Sequence, residues 1–430
     1  MRSIIKFFLK QPRIHRYLRQ VYKETLMQQP EEVVNTSVSE SLPLACRDTE
    51  LNDHASFRLN LLVPALSQEH IFGGIATALS LFHTLRENYR DARIILTDQQ
   101  SFCHADNPSY TNWIIKSLED EDIDGLVIIP AGDRHAKALP ISARDRFIAT
   151  AWWTAYIAKN IQNWQHSRYS LPTSSPYIYL IQDFEPGFYP WSSRYMMAEA
   201  TYSNPGNTAA VFNTSTLKRF FENEGYHFEN AFVFEPHLNE ELRARRLQAM
   251  QQEREKRVLI YGRPNVDRNA FEVIIMALRV WTAHSQESLD WEFISVGELH
   301  PVIELSNGKK LISKGKLSLE EYASEMGKAF LGISLMISPH PSYPPLEMAA
   351  FGVRVITNKY KNKDLSEFSD GIVSISSVSP ETVVQALTQL TQQFAREPQH
   401  HHDENPTLVK YLLPGSSFET LAQSLLKKVA

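Results

Sequence analysis

The chain has 430 residues, 43% of them apolar and 22% charged, with a net charge of −5 at neutral pH. That length exceeds what one ordinary core serves, so a globular protein of two domains is expected. The acidic balance excludes a dedicated nucleic-acid binder, and two cysteines, Cys46 and Cys103, exclude a disulfide framework and fit a reducing, cytoplasmic setting.

Residues 1–23, MRSIIKFFLKQPRIHRYLRQVYK, set Ile4, Ile5, Phe7, Phe8 and Leu9 among Arg2, Lys6, Lys10, Arg13, Arg16 and Arg19. Lys6 interrupts the apolar run and no small-residue cleavage site follows, so a signal peptide fits poorly. Residues 1–22 suit two readings: a basic helix packed on its own domain, or an amphipathic helix lying on an anionic membrane surface at the inner face. No stretch reaches the roughly 20 consecutive apolar residues of a membrane-crossing helix. Residues 31–56 are polar and mixed and read as a connector, so 1–56 is taken as an N-terminal basic helical extension and linker.

From residue 57 strands and helices alternate. RLNLLVPAL (58–66) is strand-like, HIFGGIATALSLFHTLRE (70–87) is a helix opened by Gly73-Gly74, and ARIILTD (92–98) is the next strand. DGLVIIPAG (124–132), DRFIATAWWTAYIAKNI (145–161), SPYIYLIQDFEPGFYP (175–190) and AAVFNTSTLKRFFENEG (209–225) continue the pattern. The charged stretch EPHLNEELRARRLQAMQQEREKR (235–257) has no strand and reads as the approach to an inter-domain link. Alternation then restarts with RVLIYGRP (257–264), a helix over 269–284, WEFISVGE (291–298) and a helix over 317–329. FLGISLMIS (330–338), GVRVITN (352–358) and DGIVSI (370–375) supply further strands, followed by helices in 379–395 and 416–430. This predicts an α/β protein of two Rossmann-like, doubly wound domains, 57–245 and 246–395, facing across a cleft, with a C-terminal segment 396–430. Ligands of such sheets sit beyond the carboxyl ends of the strands, near helix N-termini.

That places three segments at the cleft, the Gly73-Gly74 loop, the YGRP turn and the proline segment SPHPSYPP (338–345), and four stretches of the chain carry candidate chemistry. In VLIYGRPNVDRNAF a strand ends at Tyr261, Gly262 permits a tight turn, and Arg263 and Arg268 emerge where a guanidinium can hold a diphosphate. In LISKGKLSLEEYASEM, Lys314 and Lys316 flank Gly315 just before a helix start marked by the Ser318/Glu321 capping box. IFGGIATAL offers glycine backbone amides to an anion, or simply makes a strand-to-helix turn. It is not GxGxxG and lacks an acidic ribose anchor about 20 residues on, so a nicotinamide cofactor fits poorly.

Other clusters are weaker. Asp120-Glu121-Asp122 precedes a strand rather than ending one, so it reads as a solvated turn and not a metal–diphosphate site. His400–His402 reads as a polar surface connection in preference to a metal site. YLIQDFEPGFYPW places Gln182, Asp183 and Glu185 after a strand beside Phe188, Tyr189 and Trp191, a combination suited equally to sugar hydroxyls and ring faces or to an acidic loop over packed aromatics.

Taken in order, YGRP, FISVGE, KGKLSLEEYA and PPLEMAAFGVRVITN resemble the second half of a GT-B glycosyltransferase. Its retaining members carry glutamate, seven residues and a second glutamate before a helix. Glu347 occupies the second position, while Pro339 stands where the first would be and HPSY replaces the usual glycine-rich successors. LIQDFEPGFYPW, YGRPNVDRNAFEV, GKLSLEEYA and SPHPSYPPLEMA are similar to the WsaF-type rhamnosyltransferases, over about residue 56 to the end. The resemblance implies transfer of L-rhamnose from dTDP-L-rhamnose to a glycan acceptor, either free or lipid-linked, with retention and with no metal or other cofactor. It implies donor contacts from Gly73, Gly74, Tyr261, Arg263, Arg268, Gly297, Lys316, His340, Tyr343, Pro345, Leu346 and Glu347. Of these, Arg263 and Lys316 would neutralise the diphosphate and Glu347 would bind the ribose. Acceptor contacts are expected from Gln182, Asp183, Glu185, Phe188 and Tyr189, with Asp183 also a catalytic candidate, and the final helix is expected to cross back onto the first domain. Two alternatives stay open: a nucleotide-sugar epimerase or hydrolase, and an inactive glycan-binding protein. His340 and Tyr343 are the candidates to replace the carboxylate that Pro339 lacks.

Overall fold

The computed structural model describes residues 42–51, 57–68, 73–171, 175–399, 405–415 and 418–429. The basic stretch 1–22 and the triple histidine lie outside them. The segment before residue 57 nevertheless contains structure. Strand β1 (Ala45–Asp48) pairs in parallel with β6 (Ala138–Ile141), so part of the expected connector is an edge ribbon.

The first large sheet has eight strands, all parallel, in the order β10-β9-β8-β7-β2-β3-β5-β4. Its members are β2 (Arg58–Val63), β3 (Asp91–Leu96), β4 (Ile114–Ile115), β5 (Leu126–Pro130), β7 (Asp145–Ala149), β8 (Tyr177–Ile181), β9 (Thr208–Asn213) and β10 (Asn230–Phe234). Strands β2, β3, β8 and β9 are buried at every position, as near-continuous Leu/Ile/Val runs in a covered parallel sheet must be. Alternate residues feed two cores. Leu59, Leu61 and Val63 pack with helix α1 (Gly73–Arg86) on one face, and Leu62, Ile95 and Ala149 pack with α2 (Trp152–Tyr169) on the other. Helices α3 (Ser193–Ser203) and α4 (Ser215–Asn223) complete this half.

At the amino ends of β2, β3 and β7 a charged cluster lies inside the protein. Arg58 donates from Nε to Asp145 at 2.7 Å and from Nη1 to Asp122 at 2.9 Å. Arg93 reaches Asp145 at 3.3 Å and donates from Nε to Asn60 at 2.6 Å. Asp122, expected in a solvated turn, is 9% exposed and part of this cluster. Two strand-borne arginines draw it inward, which local sequence does not reveal.

Helix α5 (Glu240–Met250) packs against the second half through Leu242 and Ala249, so the chain passes between the halves before residue 240. The second sheet runs β13-β14-β12-β11-β15-β16-β17, parallel except for β13 against β14. The strands are β11 (Glu255–Gly262), β12 (Glu292–Gly297), β13 (Ile303–Glu304), β14 (Lys310–Ser313), β15 (Ala329–Ile333), β16 (Arg354–Asn358) and β17 (Ile372–Ile375). Helices α6 (Phe271–His284) and α9 (Pro380–Thr391) cover one face; α7 (Leu319–Lys328) and α8 (Tyr343–Ala350) cover the other. Helix α10 (Pro406–Leu412) packs on this second core, and Leu238 N donates to Tyr411 O at 2.8 Å where the two crossings meet. Helix α11 (Glu419–Val429) then lies on the first half, where Phe418, Leu421, Ala422 and Leu425 join its core and the Phe418 and Phe234 rings sit 4.7 Å apart.

Both sheets reverse their winding between neighbouring strands, at β2/β7 and at β11/β15, which is the position where such folds leave a crevice.

Candidate active site

A cavity of about 790 Å³ opens between the two halves at these switch points, within the size range of small-ligand sites. The first half lines it with residues just past its strands: Pro64 after β2, Thr150 and Ala151 after β7, Gln182, Asp183 and Glu185 after β8, and Asn213 closing β9. The second half contributes Tyr261 and Arg263 from β11, Gly297 to Leu299 from β12, Lys316 and Leu317 before α7, and His340 to Pro344 entering α8, except Pro341.

Close approach of β11 and β12 depends on two glycines. A Cβ on Gly262 would sit 2.2 Å from Ser295 Oγ and 2.8 Å from the Phe271 ring. Gly297 has φ +119°, and a Cβ there would meet Gly262 O at 2.9 Å. No other residue type fits either place. The strand end therefore stays flat and delivers Arg263 to the cavity.

Across the cleft, Gly73 and Gly74 open α1 and line the same cavity. The space a Gly73 side chain would take is bordered by the Tyr343 ring, 3.9 Å away, and Gln182 Nε2 donates to Gly74 O at 2.9 Å. Bare amides at a helix start present partial positive charge to whatever enters.

The halves are tied through the cavity wall. Ser338 Oγ donates to Asp183 Oδ1 in a short hydrogen bond, while Phe184 N donates to the same oxygen at 2.8 Å. The Arg268 guanidinium lies 3.8 Å over the Phe188 ring and 3.9 Å from Asp183 Oδ2. Asn213 Nδ2 donates to the Tyr343 hydroxyl at 2.7 Å. Sequence placed Asp183, Phe188 and Tyr343 in a binding role; here each also joins one half to the other.

The proline turn is built by its own polar groups. His340 N donates to Ser338 Oγ, and Ser342 N donates to His340 Nδ1, both at 3.0 Å. Ser342 has φ +69°, a left-handed conformation costly to a residue with a Cβ. Behind the turn, Met336 is held at N by Asn358 Oδ1 and at O by Lys363 Nζ, 2.7 and 2.6 Å respectively. Burial lowers the Lys363 ammonium to about 7 and the His340 imidazole to about 4, so the ring is neutral.

Two carboxyls are pushed the other way, and of them Glu185 lines the cavity. Glu185 is 4% exposed and accepts from Trp152 N at the head of α2, at 2.5 Å. Burial, with Asp183 nearby, raises it to about 8 despite that hydrogen bond. Glu347 is half-buried in α8 beside the Tyr322 hydroxyl, and burial raises it to about 7.

The sequence-predicted residues thus divide. Gly73, Gly74, Gln182, Asp183, Glu185, Phe188, Tyr261, Arg263, Arg268, Gly297, Lys316, His340 and Tyr343 all line the cavity. Pro345, Leu346, Glu347 and Tyr189 do not. Pro345 is buried, and Leu346 is 4% exposed within the second core. The Tyr189 hydroxyl accepts from Trp152 Nε1 at 3.0 Å and bolts the aromatic loop to α2. Lys314, the other lysine beside Gly315, is bound to Glu325 at 2.6 Å. Among the described residues no set of three His, Cys, Asp or Glu side chains converges as metal ligands. Sequence reasoning missed Trp153, Asn213 and Tyr322: the first and last sit in helical apolar periodicity, where they read as core, and Asn213 as an ordinary strand end.

Two seven- and eight-stranded Rossmann-like sheets facing across a cleft at their switch points define the GT-B fold. The same architecture extends over 86% of this chain and 96% of HepE from Anabaena, solved in complex with UDP, at 10% identity and TM-score 0.51. It extends over 87% of this chain and 99% of WaaG, a glycosyltransferase involved in lipopolysaccharide biosynthesis, at 12% identity and TM-score 0.50. The chain belongs to the WsaF family: its N-terminal domain model matches residues 58–215 and its C-terminal domain model matches residues 256–388. A curated relative, the O-antigen biosynthesis protein RfbC of Myxococcus xanthus, is 32% identical over 220 residues, 51% of this chain and 16% of that protein, so the match covers a small part of its length.

Proposed function

We propose that the chain is a glycosyltransferase of glycan assembly that moves L-rhamnose from dTDP-L-rhamnose onto a glycan acceptor. The observation carrying this reading is the meeting of Arg263, Lys316 and the Gly73-Gly74 helix start in one inter-domain cavity of about 790 Å³. Cleavage of a sugar–diphosphate bond develops negative charge on the leaving diphosphate as the sugar becomes oxocarbenium-like. Fixed cations and a helix N-terminus stabilise that charge, an electrostatic contribution that is commonly the largest in such sites. Arg263 and Lys316 supply it without a divalent ion. WsaF family membership suggests the sugar type and the RfbC likeness an O-antigen-like acceptor; retention along a front-side path, which needs no enzyme nucleophile, is proposed with them.

The second half takes the donor, with the proline turn over the sugar; Glu347, assigned to the ribose by the family resemblance, stands outside the cavity lining beside Tyr322. The first half takes the acceptor at Gln182, Glu185 and Phe188. Glu185, held neutral at pH 7 by burial, offers a hydroxyl and a carbonyl to an acceptor sugar. Asp183 is assigned as the tie between halves rather than a base, because Ser338 and Phe184 both donate to its Oδ1 and the Arg268 guanidinium stands 3.9 Å from its Oδ2. Residues 1–22 are assigned to contact with anionic lipid on the inner membrane face, where a lipid-linked acceptor would lie.

A screen of thymidine, uridine and guanosine diphosphate-sugars, read as nucleotide release, tests the reading. Release from dTDP-L-rhamnose above all others is expected. An isomerised sugar with no transfer would replace it with an epimerase, and no nucleotide binding would leave a glycan-binding protein.

A further inference from the structure

Beyond the cavity rim the first half carries an aromatic loop that the reaction described above does not use. Trp191, between the short turn of helix Glu185–Phe188 and α3, is 96% exposed, and Met196 on α3 is 60% exposed. An apolar residue just before a helix N-cap often folds back on the fourth helical residue as a staple. Ser192 is the N-cap here, accepting from Tyr195 N at 3.3 Å, which makes Trp191 and Met196 that pair. At these exposures the indole is not spent on the staple.

The loop is nevertheless fixed. Phe188 lines the cavity beneath the Arg268 guanidinium, and the Tyr189 hydroxyl accepts from Trp152 Nε1 at 3.0 Å. Trp191 therefore stands between two anchored residues, Tyr189 and Ser192, and three residues of chain place it within about 10 Å of Phe188. Tyr195 and Glu199, four residues apart, share one face of α3. Burial raises the Tyr195 hydroxyl, and Glu199 and Tyr360 of the second half, both close to it, raise it further. The Tyr360 loop reaches the first half through Asn362 Nδ2, which donates to Thr216 O at 2.9 Å. The charges at this rim carry partners of their own: Lys361 pairs with Glu224 at 3.1 Å, and Glu199 accepts from the Tyr226 hydroxyl at 2.9 Å. Ring faces and hydroxyls remain, a surface that suits an uncharged ligand with apolar faces and hydroxyl edges.

We propose that Trp191, with Tyr195 and Glu199, is an outer acceptor subsite, the indole stacking on a sugar of the acceptor chain set back from the reacting hydroxyl. The inference rests on the acceptor assignment above and extends it from one sugar to a chain. Phe188 marks the cavity end of the track and Trp191 its outer end. The acceptor is then an oligosaccharide of uncharged sugars. Stacking reads its length, while the cavity places its reacting hydroxyl. An anionic lipid surface fits less well, because the carboxylates of Glu199 and Glu224 border the same rim.

Transfer from dTDP-L-rhamnose to the methyl glycosides and matching tetrasaccharides of rhamnose, mannose and glucose tests this in the full chain, using wild type, Trp191→Ala and Trp191→Phe. At 96% exposure the indole can be removed without moving the denaturation midpoint, so a loss is not one of folding. Wild type is expected to prefer the tetrasaccharide it uses over the matching methyl glycoside by about tenfold or more in kcat/KM. Trp191→Ala should bring that ratio within about twofold of one, through KM rather than kcat. Trp191→Phe, which keeps a ring face, should recover most of it. A ratio that survives Trp191→Ala, or wild type with no length preference, would overturn the subsite and leave the donor assignment standing. Wild type that releases nucleotide from the donor yet glycosylates no tetrasaccharide would do the same. So would co-sedimentation with vesicles of phosphatidylcholine and phosphatidylglycerol that Trp191→Ala abolishes, which would assign the indole to a lipid surface. Wild type that releases no nucleotide from the donor would overturn the proposed function and this inference together.

Discussion

Two regions of this molecule bury charge and polarity, and they do so in opposite ways. At the amino ends of β2, β3 and β7, Arg58, Arg93, Asp122 and Asp145 form a closed cluster of two cations and two anions, all 9% exposed or less. Asn60 and the Ser142 amide fill further positions on Asp145, each within 3.0 Å. Beyond the carboxyl ends of that sheet and its partner, the cleft is walled by a neutral histidine, His340, and by a carboxyl raised toward neutrality, Glu185. One end of the sheet is complete in itself and serves the fold. The other gathers groups with shifted protonation around a cavity, the pattern of a functional site.

Breaking the closed end should have the largest effect on stability. Burial works against the Asp145 charge, and the Arg93 and Arg58 guanidiniums outweigh it, holding the carboxyl far below its usual range. Asp145→Ala leaves two guanidiniums buried against one remaining carboxylate. The expected loss is about 3–5 kcal/mol, read by urea denaturation, with nucleotide affinity of the folded fraction unchanged. A loss below about 1 kcal/mol would mean that water reaches the cluster and that the contrast is false.

The open end should fail in function instead. Arg263→Ala and Lys316→Ala are each expected to lower kcat/KM for donor cleavage by at least about thirtyfold, some 2 kcal/mol of transition-state stabilisation. Their denaturation midpoints should stay near that of the parent. Turnover close to wild type in either variant would remove that residue from the site.

Glu185 sharpens the comparison through pH. Below its ordinary value of 4.5 the carboxyl is neutral in folded and unfolded chains alike. Between 4.5 and about 8 the unfolded chain ionises while the folded one keeps its proton, so stability falls as pH rises and levels off above about 8. Glu347, raised to about 7, acts in the same direction. Glu185→Gln keeps an acceptor for the Trp152 amide and removes the ionisation. Relative to wild type it should gain about 1–2 kcal/mol on going from pH 5 to pH 8, less than the full shift because the cavity admits water. Parallel pH profiles of the two proteins would show that Glu185 is ionised in the fold.

The two regions were unequally legible in the sequence. Both sheets follow from apolar runs separated by helical periods, because burial on two faces forces that pattern on a parallel strand. The Arg263 and Lys316 positions follow from where strands end. Asp122 was misread because its partners stand 64 and 29 residues away, a distance that local charge patterning does not span. The ties Ser338–Asp183 and Asn213–Tyr343 connect residues 155 and 130 positions apart, and they exist only once the halves close on each other. Leu346 shows the converse: a residue inside a binding motif can face the core. Strand β1 escaped notice because four residues at a sheet edge carry too little periodicity to register.

The smallest predicted effect separates the two lysines that flank Gly315. By sequence alone they are equivalent candidates for an anion. Gly315 adopts φ +64°, and the turn it makes sends them different ways: Lys316 lines the cavity, while Lys314 pairs with Glu325 at 2.6 Å. The Lys314 side chain is about one-third exposed, so its ion pair is partly screened, although Glu325 is buried and also bound by Arg257 at 3.1 Å. Arg257 continues to neutralise Glu325 when Lys314 is removed. Lys314→Ala should therefore cost at most about 1 kcal/mol of stability and leave kcat/KM within about twofold of wild type. If Lys314→Ala instead matched the loss of Lys316→Ala, the cation would act on the diphosphate from outside the cavity, through the general field of the loop, and the division drawn between a lysine tied to Glu325 and one lining the cavity would not hold at this turn.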